Sequence, residues 1–288
     1  MTTAYRPRRS VLYMPASNER ALEKAKTLPV DGLIFDLEDA VGPQEKEAAR
    51  ENARAAAACG DYGYREVTIR VNGTGTQWHE ADLEAACAAG PDGIVVPKVG
   101  SADEVRGLVA AMEAHGAPEH TRLWAMVETP DAVLDARAVA TASGRLAVLV
   151  LGTNDLVTEL QARFVPGRGP LLAALSSVVL AARAAGVAVL DGVYNDVRDL
   201  EGLAAECRQG RDLGFDGKTL IHPGQIGPCH EAFTPSAEEV EEARGLLAAW
   251  EAGAGRGVVT YEGRMVENLH VEVAQRVLAT DEAVRSRS

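Results

Sequence analysis

Two apolar runs in this chain give way to acids. LWAMVE, residues 123–128, stops on Glu128, and AVLVL, residues 147–151, is followed by GTND, which puts Asp155 four residues past its last leucine. A pair of carboxylates at one mouth, completed by an oxygen-rich substrate and water, suits Mg2+, a hard cation that takes oxygen ligands and needs few from the protein. No HxH, HExxH or closely spaced cysteines suggest zinc. The same acids can also serve as helix caps or pair with a base, and TPDAV after Glu128 reads well as a helix start.

Further charge gathers in GLIFDLEDAV. Asp36 can order metal-bound water, Glu38 can brace a basic side chain, and Asp39 can cap a helix or face the mouth. Carboxylates at this density are costly without a cation. Arg70, in EVTIRVNG, carries a fork that binds a substrate carboxylate in two-pronged fashion, although a neighbouring Asp or Glu is an equally good partner. Lys98, in VVPKV, can pair with an acid or form an imine. Ser17, Asn18 and Arg20, in MPASNERA, are placed either to bind phosphate groups at a helix start or simply to cap and start that helix. His222, in IHPGQI, either faces the mouth or belongs to a rigid turn.

Eight short runs rich in Val, Ile and Leu must position these residues: 10–14, 32–36, 66–71, 93–97, 123–128, 147–151, 187–191 and 218–222. Helical patterns alternate with them near 18–27, 43–59, 79–88, 101–115, 130–142, 170–185 and 196–213, and SADEVRGLVAAM opens with a Ser cap and acids in its first turn. Repeated strand–helix units with continuously apolar strands predict an α/β fold, a closed parallel (β/α)8 TIM barrel; no GxGxxG follows the first strand. Barrel chemistry lies at the C-terminal ends of strands, where Asp36, Arg70, Lys98, Glu128, Asp155 and Asp191 all fall. The expected division is a catalytic barrel over residues 1–232 and a short C-terminal helical extension over 233–288. That extension holds EEVEEARGLLAAWEAG, a glycine-rich joint with a hairpin-like piece, and a last helix near 267–279.

Composition narrows the class. With 42 acidic and 29 basic residues in 288, a net charge of -13 argues against a general nucleic-acid or anionic-membrane surface. The 47% hydrophobic content supports a large core. Cysteines 59, 87, 207 and 229 lack CxxC spacing and read as free thiols. The N-terminus shows no secretory pattern, and no run approaches the roughly 20 apolar residues of a membrane span, so a cytoplasmic protein is expected.

FDLEDAV, TIRVNG, VVPKV, MVETP, GTNDL and LIHPGQI, in that order and spacing, resemble the citrate lyase beta subunit and the carboxylic-ester-CoA lyases of the HpcH/HpaI aldolase superfamily, from about residue 9 to about 279. The resemblance implies that Glu128 and Asp155 bind Mg2+, that Arg70 and Glu128 hold the oxo-acid end, and that Asp36 with Asp39 supports the metal's water shell beside Glu38. It also implies CoA or acyl-carrier contacts at Ser17, Asn18 and Arg20, and a homotrimer in which one subunit's C-terminal segment covers the next subunit's site. The expected reaction cleaves a citryl or related β-hydroxyacyl thioester to an acetyl-type thioester and an oxo acid such as oxaloacetate. Removal of the β-hydroxyl proton would leave a carbonyl and a thioester enolate as the carbon–carbon bond breaks. Citrate lyase alpha and acyl-carrier subunits are then possible partners.

The alternatives are a malyl-CoA or citramalyl-CoA lyase, a thioesterase, and a non-catalytic binding or scaffolding barrel. The chain departs from the pattern at Glu267, where relatives generally carry an aspartate followed shortly by proline; here Asn268 and Leu269 follow. The family role makes Glu267 a catalytic acid or base beside Asp36 and Arg70, while a solvent-facing helix start is the plainer reading.

Overall fold

The computed structural model describes residues 6–253 and 257–287. The first residues of the basic N-terminal stretch, and residues 254–256 of the glycine-rich joint, lie outside the described residues. Two compact units are present among the described residues, one running from Arg8 to Ala232 and one from Phe233 onward that also takes in Arg6 and Pro7.

The larger unit is a closed barrel of eight parallel strands in sequence order: β1 (Ser10–Pro15), β2 (Gly32–Asp36), β3 (Glu66–Arg70), β4 (Gly93–Val96), β5 (Arg122–Val127), β6 (Leu146–Leu151), β7 (Ala188–Asp191) and β8 (Gly217–Leu220). Its helices are α1 (Glu19–Ala25), α2 (Lys46–Cys59), α3 (His79–Ala89), α4 (Ala102–Ala114), α5 (Pro130–Leu134), α6 (Ala136–Thr141), α7 (Thr153–Glu159), α8 (Leu172–Ala185), α9 (Leu200–Leu213) and α10 (Ile226–Phe233), whose last residue begins the second unit. The fold is therefore the TIM barrel expected from eight strand–helix units.

Strands buried on both faces explain the unbroken apolar runs: every residue of β2, β3, β4 and β8 is buried. Val11, Ile34, Val95, Trp124, Met126, Val148, Val150 and Leu190 form one buried cluster. Buried polar groups at the N-terminal rim are paired. Arg9 grips Asp31 through Nε and Nη2, both at 2.8 Å, and Arg8 Nε lies 2.6 Å from Glu66 Oε2.

Several boundaries differ from the sequence reading. The single helix expected over 130–142 is two, broken at Asp135, whose φ of -98° and ψ of 10° leave the helical region. α7 was not anticipated, because seven residues directly after a strand carry too little periodicity to register. α9 starts at Leu200, where Asp199 Oδ1 accepts the Gly202 amide at 2.9 Å. The Ser cap of α4 is present, with Ser101 Oγ accepting the Glu104 amide at 3.2 Å.

Against the expectation that no run approaches a membrane span, one stretch, Pro166–Ala185, reaches 20 residues and is apolar enough to cross a membrane by length and composition. It is a short 3-10 turn with left-handed Gly167 and Arg168, followed by α8. In α8, Leu175, Val178 and Ala182 are fully buried, and Arg168 is ion-paired to buried Asp191, as expected of a barrel helix.

The smaller unit holds α11 (Ala237–Ala252), an antiparallel hairpin of β9 (Val259–Tyr261) and β10 (Arg264–Val266), and α12 (Asn268–Arg285). Ser236 and Glu239 close a reciprocal cap on α11, at 3.1 and 2.7 Å.

Candidate active site

Register places the first pair. Asp36 and Arg70 are direct partners across the parallel β2–β3 ladder, each the last residue of its strand. Their side chains meet as a fork: Arg70 Nε donates to Asp36 Oδ1 and Nη2 to Oδ2, both at 2.7 Å. Asp36 also accepts the amides of Glu38 and Ala40, at 2.9 and 3.2 Å. Arg70 Nη1 lies 2.7 Å from Glu38 Oε2 and 3.7 Å from Asp39 Oδ2, while the guanidinium covers the Tyr13 ring at 4.8 Å.

The Arg70–Glu38 contact is an ion pair without hydrogen-bond alignment, since buried Glu38 Oε2 has no hydrogen-bond donor. Burial pushes the Glu38 carboxyl up to about 7; Arg70 opposes the shift, and Asp39 and Asp36 add to it. Burial would lower the Arg70 pKa, but Asp36 and its neighbours hold it well above the ordinary value, so the guanidinium stays charged.

The second pair follows β5 and β6. Val127 and Leu151 are register partners, so Glu128 and Gly152 leave the ladder side by side, joined by Gly152 N–H donating to Val127 O at 3.1 Å. Thr129 caps α5, its Oγ1 accepting the Ala132 amide at 3.2 Å, which leaves the Glu128 side chain free of the capping role that its sequence context allowed. Gly152 is needed because a Cβ there would lie 2.9 Å from the Glu128 carboxyl carbon. Asp155 falls in the first turn of α7.

Lys98 joins these two acids. Its amide donates to Glu128 Oε1 at 2.8 Å and its Nζ lies 3.3 Å from Asp155 Oδ1. Glu128 is 2% exposed. Burial pushes its carboxyl up to about 8, reinforced by the Asp155 and Glu38 charges and opposed by the Lys98 amide and Arg70. Tyr13 belongs to the same cluster: burial raises its hydroxyl, with Arg70, Asp36, Glu128 and Glu38 all acting on it.

Tyr13, the left-handed Lys98 and the room made by Gly152 were not singled out from sequence. The glycine directly after an apolar run and before TND was the available signal for a close approach.

The other candidates have other partners. Asn18 Oδ1 accepts the Ala21 amide at 3.1 Å, so it caps α1; with only seven residues α1 offers little dipole for an anion, and Ser17 and Arg20 flank that cap. His222 lies beyond β8 and its Nδ1 accepts the Gly224 amide at 3.1 Å, the rigid-turn reading. Asp191 is fully buried between Arg168, at 2.7 Å, and Lys218, at 3.1 Å. Glu267 precedes α12 in the smaller unit, its amide donating to His270 Nδ1 at 3.0 Å. A cavity of about 570 Å³ lined by Thr153, Phe164, Arg168, Tyr194 and Gln209 includes none of Asp36, Arg70, Glu128 or Asp155.

Among the described residues no group of three or more His, Cys, Asp or Glu side chains is arranged to hold a metal. Two hard oxygen donors, Glu128 and Asp155, whose mutual repulsion helps raise the Glu128 pKa, fit Mg2+, which keeps several waters and takes few protein ligands.

The profile of the HpcH/HpaI aldolase/citrate lyase family matches residues 9–223. A (3S)-malyl-CoA thioesterase of Cereibacter sphaeroides is 48% identical over 280 residues, 96% of each chain, and the citrate lyase subunit beta of Escherichia coli is 37% identical over 96% of this chain and 94% of its own. Among solved structures, CitE from Mycobacterium tuberculosis in complex with magnesium, acetoacetate and coenzyme A aligns with a TM-score of 0.78 at 31% identity, over 96% of this chain and 98% of that one. With the barrel, the order of its motifs and the profile in agreement, this chain belongs to the HpcH/HpaI aldolase/citrate lyase family, a family of lyase-type enzymes.

Proposed function

We propose that the chain is a Mg2+-dependent enzyme acting on the CoA thioester of a short β-hydroxy dicarboxylic acid of the malyl type. The observation that carries this reading is the convergence of Glu128 and Asp155 beside the buried Arg70–Asp36 fork at the C-terminal ends of β2, β3, β5 and β6. Glu128 and Asp155 would hold Mg2+, which when bound would supply Lewis-acid chemistry to a substrate oxygen.

Arg70, fixed and permanently charged by Asp36 and Glu38, contributes a directed positive field to the acyl group, with Asp36 keeping the guanidinium plane in place. Glu38, with its carboxyl near neutrality, is a group able to hold or release a proton at Oε2. Glu267 is the further acid or base of the expected cross-subunit arrangement in a homotrimer. Ser17 and Arg20 are the CoA contacts of this reading, and Asn18 orders their loop as a cap.

Thioester hydrolysis is the favoured outcome, because identity to the malyl-CoA thioesterases exceeds identity to the citrate lyase beta subunits. Carbon–carbon cleavage to acetyl-CoA and an oxo acid is the second, supported by the lyase-type family. Citrate lyase alpha and acyl-carrier partners belong to the citryl version of that second outcome. Cys59, Cys87, Cys207 and Cys229 are free thiols, in keeping with a cytoplasmic location.

The test incubates the full chain with malyl-CoA, with and without Mg2+, and measures malate, glyoxylate, acetyl-CoA and free thiol. Equal malate and free thiol establish hydrolysis; acetyl-CoA with glyoxylate establishes cleavage. Turnover that is absent with malyl-, citramalyl- and citryl-CoA alike, or that is indifferent to Mg2+, overturns the reading.

A further inference from the structure

Lys98 holds a backbone conformation that its residue type disfavours, with φ at 55°. A left-handed conformation at a residue with a long side chain costs on the order of 1 kcal/mol or more, and such strain collects where the surrounding structure uses it. Two contacts account for its use here: the Lys98 amide lies 2.8 Å from Glu128 Oε1, and its ammonium lies 3.3 Å from Asp155 Oδ1. One residue therefore touches both carboxylates assigned to the cation, with a fixed dipole on the buried acid and a mobile charge on the more exposed one.

The two cationic side chains of the cluster are held very differently. Arg70 is committed, with two bonds of 2.7 Å to Asp36 and an ion pair to Glu38. Lys98 is 54% exposed along its side chain and its ammonium contacts Asp155 at 3.3 Å. An exposed pair of that kind contributes about 1 kcal/mol or less, so exchanging it is cheap. An ammonium and a divalent cation also repel each other across a shared carboxylate.

We propose that Lys98 is a metal-responsive arm. Its ammonium is the counter-ion of Asp155 in the metal-free chain, is released when a divalent cation takes Asp155, and then pairs with the carboxylate of the anionic acyl group, while its amide stays on Glu128. The proposal rests on the Mg2+ reading above and goes beyond it by giving the metal a second consequence: freeing a cation to recognise the substrate. Lys98 is in this sense a positioning and recognition residue, and metal and acid binding are coupled through it.

Calorimetry on the full chain tests this, using MgCl2 alone and then malate at saturating Mg2+, for the unsubstituted chain, Lys98→Met and Lys98→Arg. Lys98→Met is expected to bind Mg2+ three- to tenfold more tightly and malate at least fivefold more weakly, whereas Lys98→Arg keeps malate affinity within about threefold of the unsubstituted chain. A purely structural lysine would not move the two ligands in opposite directions. Unchanged or weaker Mg2+ binding by Lys98→Met, or unchanged malate binding, overturns the proposal.

A second measurement needs no substitution. Acetylation of Lys98 by acetic anhydride, followed by peptide mass spectrometry, should rise when Mg2+ is added and fall again with malate. Labelling indifferent to Mg2+ overturns the proposal. If the unsubstituted chain binds no Mg2+, the metal reading itself fails, an outcome distinct from Mg2+ binding to which Lys98 is indifferent.

Discussion

Arg70 and Asp36 end neighbouring parallel strands as direct register partners and close two 2.7 Å hydrogen bonds in a fork-to-carboxylate geometry. The pair is buried at 7% and 1% exposure, so neither charge has water to fall back on if the other is removed. The resemblance assigns Arg70 to the oxo acid, and a neighbouring acid was the other partner its sequence context allowed; in the structure Asp36 takes Nε and Nη2, and Glu38 lies beside Nη1.

Removing the acid therefore threatens the barrel before it threatens chemistry. Asp36→Ala is expected to cost about 3–5 kcal/mol, because it removes both aligned hydrogen bonds of a buried guanidinium and leaves it the Glu38 and Asp39 contacts. Arg70→Lys keeps the charge but not the two-pronged geometry and should cost less than Asp36→Ala. Urea unfolding of both variants checks the order; an Asp36→Ala chain as stable as the unsubstituted protein would show that the fork contributes nothing net.

The metal-free chain should lose stability as pH rises from about 5 to about 8. Glu38 and Glu128 have pKa values raised from 4.5 to about 7 and about 8, so across that window the folded chain keeps protons that the unfolded chain has released. Stability is then greatest below the unfolded values and declines as pH passes up through the folded ones. Glu128→Gln should flatten the upper part of the profile, and added Mg2+ should stabilise the unsubstituted chain more at pH 8 than at pH 5. Thermal melts across pH, with EDTA or with Mg2+, provide the measurement, and a Tm rising between pH 5 and 8 in EDTA contradicts the expected sign.

Gly152→Ala tests the packing that admits Glu128. The added methyl must displace the Glu128 side chain, and overpacking of this kind typically costs about 1–3 kcal/mol. The expected variant folds and melts several degrees lower and, on the proposed reading that Glu128 and Asp155 share a cation, binds Mg2+ at least about tenfold more weakly because the carboxylate is shifted. Calorimetry showing unchanged Mg2+ affinity would detach Gly152 from the site.

Glu267→Gln separates chemistry from assembly. If Glu267 exchanges a proton with the substrate, single-turnover hydrolysis or cleavage at saturating Mg2+ should slow at least about tenfold, with substrate affinity and oligomeric state preserved. A rate equal to that of the unsubstituted chain would leave Glu267 as the residue preceding α12 and nothing more.

The barrel was legible in the chain because strands buried on both faces must be apolar throughout, and eight such runs alternating with helical periodicity leave few topologies. The acids at the ends of β2, β5 and β6 were legible for the same reason, since a charge closing an apolar run is conspicuous. What could not be read was which charge meets which. Whether Arg70 faces a ligand or Asp36 depends on the parallel register of β2 against β3, a relation between residues 34 positions apart. Whether Glu128 caps a helix or enters the site depends on Thr129 taking the cap and Gly152 leaving space. The tie from Lys98 to both carboxylates needs a left-handed turn that no propensity would assign to lysine. Apolar periodicity is written locally and survives in one dimension; charge pairing is set by distances of a few ångströms between distant segments, and only the closed barrel decides those.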